Sequence, residues 1–107
     1  SIAKSGMKLD ADKDRWDLLP IDATREVVKV LTYGARKYAP ENWRCVEGWR
    51  DRYYAAALRH LTAWRAGERL DEASGLPRLA HAICSLIFCL ELDTREGNDA
   101  TRKNSGQ

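Results

Sequence analysis

Apolar residues recur along this chain at the three- and four-residue spacing of helices, with no run of strand-like alternation. From Ile21 onward Val27, Val28, Val30, Leu31 and Ala35 form one broad stripe. It predicts a helix opened by Pro20, whose missing N–H costs nothing in a first turn, and ended near Tyr38 ahead of Ala39-Pro40. A second stripe of Trp49, Tyr53, Ala57, Leu61 and Trp64 predicts a helix from about Trp49 to Ala66, stopped by Gly67. After a polar linker, Ser74 is the expected N-cap of a third helix from about Leu76 to Leu92.

The third helix sets the expected architecture. Leu79, Ile83, Leu86, Ile87 and Leu90 make one face, and Ala80, Ala82, Cys84, Phe88 and Cys89 make the others apolar too. A helix apolar nearly all round needs enclosure. Two companion helices in 107 residues cannot supply it. The expectation is one all-α domain over residues 1–107: a compact bundle of about three main helices, completed by oligomerisation into a homodimer or homotetramer. Residues 1–19 read as an extended segment whose Trp16, Leu18 and Leu19 should dock somewhere. Residues 94–107 read as a flexible polar tail.

Composition narrows the function classes. The net charge of +2 is nearly balanced, which argues against a dedicated nucleic-acid binder. Of three cysteines, Cys84 and Cys89 lie in an apolar run and read as small buried hydrophobes. Reduced thiols and the lack of a secretory signal suit a cytoplasmic protein. The longest apolar stretch, Ala80 to Leu92, is shorter than the about 20 residues that span a bilayer.

Against that frame a polar constellation stands out. His60 sits in the second helix, with Glu68 and Asp71 following it; Arg78, His81 and Ser85 share a face of the third. Histidines and carboxylates approaching from facing helices are how bundles hold divalent metals. Carboxylate oxygens suit Mg²⁺ or Mn²⁺, and added imidazole favours Mn²⁺ and later metals such as Co²⁺. The same residues also suit a plainer role, with the histidines packed in an interface and the acids capping a turn.

Three stretches carry a resemblance: DADKDRWDLLP (10–20), VLTYGARKYAPENWR (30–44) and YYAAALRHLTAWRAGERLDEASGLPRLAHA (53–82). Together they resemble the phage-type dATP/dGTP diphosphohydrolase N-terminal domain, a group compared with MazG-like, all-α nucleoside triphosphate pyrophosphohydrolases. The resemblance implies metal-assisted hydrolysis of a (deoxy)nucleoside triphosphate to a monophosphate and pyrophosphate. Matched polar positions include Asp10, Lys13, Arg15 and Ser74. On the same footing, His60, Glu68 and Asp71 are the implied catalytic residues, and Glu68, Asp71, His60 and His81 the implied metal ligands. Lys37 and Arg59 are implied to meet phosphate, Tyr38 or Trp43 to stack on the base, and Asn42 to line the substrate site. Glu26 is a reserve ligand.

The chain departs from the pattern at two places. Lys29 follows Glu26 where a second acid would complete an acidic pair, and Arg78 stands where the family leads one to expect histidine. The alternative functions are thus a catalytically weakened nucleotide-binding module or a helical protein-interaction module.

Overall fold

The computed structural model describes residues 12–105 and places three α-helices: α1 (Ile21–Lys37), α2 (Trp49–Arg65) and α3 (Arg78–Ser105). Short 3-10 turns occupy Trp16–Leu18 and Asn42–Cys45. Among the described residues there is no strand, and an isolated backbone bridge joins Leu70 to Pro77. The all-α class read from the sequence is the class observed. Residues 12–20 are non-helical apart from their one turn. The rest of the N-terminal segment, residues 1–11 with Asp10, lies outside the described residues, as do 106 and 107.

Local chemistry sets the helix ends. The Pro20 carbonyl accepts both the Thr24 N–H (3.0 Å) and the Thr24 hydroxyl (2.7 Å), opening α1. Gly67, at φ +105°, ends α2: its N–H reaches the Trp64 carbonyl, and the Glu68 N–H reaches that of Ala63. A side chain at Gly67 would be strained in that left-handed backbone, which is why glycine stops the helix there.

The core lies where α1 crosses α3. Val27 and Val30 of α1 are buried with Ala80 and Cys84 of α3, and Leu31, Leu76 and Phe88 pack around them. Burying a valine of this kind is worth about 1.5–3 kcal/mol. Burial pushes the Cys84 thiol up to about 11, so it serves as a small apolar side chain. Helix α2 contacts α3 more extensively than α1 does, and the buried Ala57 marks its inner face. No helix among the described residues is long and apolar enough to cross a membrane.

Three sequence expectations need correction. Helix α3 does not end near Leu92 but runs on to Ser105. The polar tail contains no proline to break it, and the Arg50 guanidinium of α2 reaches Asp93 (3.5 Å) and Glu96 (3.1 Å). The same helix starts at Arg78, so Ser74 works ahead of it: its hydroxyl accepts the Leu76 N–H at 3.1 Å and bonds His81 at 2.7 Å. Trp16, Leu18 and Leu19 stand exposed and join no core among the described residues.

Candidate functional site

The linker between α2 and α3 folds back on itself. The Asp71 N–H donates to the Leu76 carbonyl (2.8 Å), the Gly75 N–H to that of Asp71 (2.7 Å), and the Arg78 N–H to that of Arg69 (2.8 Å). This small loop delivers Glu68 and Asp71 to the first turn of α3 and faces them toward His60 on α2. The four implied metal ligands are thus brought into one cluster.

Arg78 sits at the centre of that cluster. Its Nη2 donates to Glu68 Oε2 at 3.0 Å, and its Nη1 meets Asp71 Oδ1 at 3.1 Å. The same Nη1 lies 3.2 Å from His60 Nδ1, which fixes that nitrogen as the acceptor. Asp71 Oδ2 accepts the Ser74 N–H at 2.9 Å and lies 3.8 Å from His81 Nε2. The two imidazoles stack, with centroids 4.6 Å apart and planes 12° from parallel, and Tyr33 of α1 meets His81 edge-on at 6.4 Å.

Electrostatics follow from this packing. Burial holds both histidines below their usual range; for His60 the charges of His81 and Arg78 add to it. For His81 the Asp71 carboxylate opposes the shift without reversing it, and Arg78 reinforces it. Burial pushes the Asp71 carboxyl up, but the Ser74 N–H and hydroxyl, then the charges of His81 and Arg78, bring it below its usual value. Both histidines are therefore neutral in the fold at pH values where an unfolded histidine, with a pKa of about 6.5, takes up a proton. The stability they contribute is complete above about pH 6.5 and is lost as the pH falls below it. Thermal melts between pH 8 and 5 should show a midpoint that holds and then drops. A midpoint unchanged from pH 7 to 5 would contradict the neutral stacked pair.

The divalent ion that the resemblance implies does not fit the side chains as they stand. Both carboxylates face the Arg78 guanidinium, His60 Nδ1 faces the same group, and His81 Nε2 is bonded to Ser74. Among the described residues no three histidine, cysteine, aspartate or glutamate side chains are placed to hold a metal ion. Glu26 pairs with Lys29 of its own helix at 3.0 Å.

The implied substrate-binding residues scatter. Lys37 ends α1 with its ammonium 5.2 Å from the Tyr38 ring centre, and the bond to Tyr38 raises its pKa, with Asp71 among the smaller contributors. Tyr38 is exposed. Asn42 is exposed at the start of its 3-10 turn, and Arg59 is exposed on α2 beside His60. Trp43 has another role than stacking on a base: its ring stacks on Phe88 (4.5 Å, 10°) and carries the Arg44 guanidinium at 4.2 Å. The Tyr53 hydroxyl donates to its carbonyl, so Trp43 is part of the packing that seats α2 on α3.

A feature that periodicity alone did not single out lies beside the cluster. A groove of about 430 Å³ runs along α1, lined by Arg25, Lys29 and Arg36 and by the apolar surfaces of Val28, Tyr33 and Leu76. It meets the cluster at Ser74 and Tyr33, which border both. The signal was present as Arg25, Lys29 and Arg36 at helical spacing, though such a row on a helix is usually a solvated face.

Comparison with known proteins points to one family. A dATP/dGTP diphosphohydrolase from Salmonella phage PMBT28 is 32% identical over 84 residues, 78% of this chain but 28% of that protein. The chain thus spans little more than a quarter of the relative's length. No solved structure matches. The family model for the dATP/dGTP diphosphohydrolase N-terminal domain matches residues 3–102, and the chain belongs to that family.

Proposed function

We propose that the chain binds a (deoxy)nucleoside triphosphate and is the nucleotide-handling domain of a diphosphohydrolase that releases a nucleoside monophosphate and pyrophosphate. The observation that carries this reading is the basic groove opening onto the histidine–carboxylate cluster. Its size falls in the range of small-molecule sites, and its two surfaces suit the two halves of a nucleotide. Val28, Tyr33 and Leu76 offer an apolar wall to a base; Arg25, Lys29 and Arg36 offer charge to phosphates. The pairs Arg25–Asp22 and Lys29–Glu26 are exposed and weak, so a triphosphate displaces them at little cost. Lys37 and Tyr38 extend this basic and aromatic surface at the end of α1.

Beside the groove, two histidines and two carboxylates can orient water, and the arginine can meet charge developing on phosphate oxygens. The consumption of both carboxylates by Arg78 favours a second reading, in which the domain binds nucleotide without turning it over. Titration calorimetry with each nucleoside triphosphate tests the first step. Lys29→Ala and Arg36→Ala should each weaken binding by about 1–3 kcal/mol. Unchanged affinity in both removes the groove from the site. Pyrophosphate release with Mg²⁺, Mn²⁺ or Co²⁺ supplied alongside the nucleotide separates turnover from binding alone.

We infer further that copies of the chain associate into a homodimer or homotetramer through α3. Ile83, Leu86, Ile87 and Leu90 form a stripe at helical spacing that is 40–68% exposed. Tyr54 and Leu58 of α2 are exposed as well.

A further inference from the structure

The resemblance leads one to expect a divalent ion between Glu68 and Asp71, and the geometry puts a side chain there instead. We propose that Arg78 is the resident cation of this cluster, so that in this chain Glu68, Asp71, His60 and His81 take no metal ion.

Three of the four candidate ligands turn an acceptor atom to the same guanidinium, and the fourth is bonded to Ser74. Glu68 Oε2 and Asp71 Oδ1 both face the guanidinium, at 3.0 and 3.1 Å. His60 Nδ1 meets the same group at 3.2 Å, and His81 Nε2 meets the Ser74 hydroxyl at 2.7 Å. An arginine cannot give up its charge in a protein, so the site carries a permanent positive charge where a metal would add more. The fork of N–H groups satisfies two carboxylates at once, which a single lysine point charge does less well.

The backbone fixes Arg78 in this position. It is the first residue of α3, and its N–H is bonded to the Arg69 carbonyl of the same linker that carries Glu68 and Asp71. The Arg78 and Asp71 side chains are 19% and 16% exposed, so water competes poorly for the pair. Admitting a metal requires the guanidinium to leave, and three acceptors to lose their donor together. The inference does not depend on whether a nucleotide binds in the groove.

Manganese binding to the intact chain tests it, read by calorimetry and by the paramagnetic resonance signal of free Mn²⁺. The parent should show no site that depends on Glu68 or Asp71. Arg78→Gln, which keeps much of the side-chain volume without charge, and Arg78→Ala should each gain a site for one Mn²⁺ per chain, at least about tenfold tighter than any in the parent. Adding Asp71→Ala should abolish the gain, and Arg78→Lys should behave like the parent. Circular dichroism establishes which variants are folded, and the parent measurement requires none of them. Parent binding that disappears in Glu68→Ala overturns the proposal. So does a folded Arg78→Gln that binds Mn²⁺ no better than the parent.

Discussion

Replacing Asp71 with alanine should destabilise the fold by about 2–4 kcal/mol, while Glu68→Ala should cost less than about 1 kcal/mol. The two carboxylates are paired to the same arginine at almost the same distance, so distance alone predicts equal effects. Exposure separates them: the Glu68 side chain is 61% exposed and that of Asp71 is 16% exposed. Water replaces the Glu68 carboxylate readily. Losing Asp71 leaves the Ser74 N–H without its acceptor and a sheltered guanidinium without its main counter-charge. The Arg78 Nε is already buried without a partner, so the group has little reserve. Chemical denaturation of both variants measures the contrast. Equal, small losses would mean that the linker does not rely on the Arg78 contacts. A loss this large also revises the expectation that Asp71 merely caps a turn.

Leu86→Asp should convert the associated protein to a species of 12.2 kDa, the mass of one chain. The proposed interface places Leu86 in the middle of the exposed stripe of α3, between Ile83 and Leu90. An aspartate buried there without a partner costs several kcal/mol per copy, and in a symmetric contact the cost is incurred at least twice. Because Leu86 is 49% exposed in the single chain, the variant should still fold, which keeps dissociation distinct from unfolding. Light scattering at micromolar concentration reads the result. A parent that already scatters as one chain would leave the stripe to a different partner and refute self-association.

The helices were legible in the sequence because apolar spacing is a local signal. Pro20 and the two stripes mark Ile21 and Trp49 as helix starts, and the structure begins both helices there. The far end of α3 was not legible: residues beyond Leu92 lack apolar anchors, and their helix is sustained by local propensity and by contacts with Arg50, 43 and 46 residues earlier. The cluster was half legible. Spacing placed Arg78 and His81 on one face and put Glu68 and Asp71 near His60. It could not show that an arginine turns back across the linker to take both acids. Trp43 was unreadable for the same reason, since its partner Phe88 lies on another element.

The length of α3 has a mechanical consequence. Its 28 residues extend about 40 Å at 1.5 Å per residue, against about 25 Å for α1 or α2. Its first residue is Arg78, at the heart of the cluster, and its last turn lies well past the other two helices. The Arg50 contacts to Asp93 and Glu96 mark where its seated part ends. From Arg78 to that point the helix is held by the buried Ala80, Ala82, Cys84 and Leu92, so the overhang beyond Glu96 can fray and reform without moving the guanidinium at the other end.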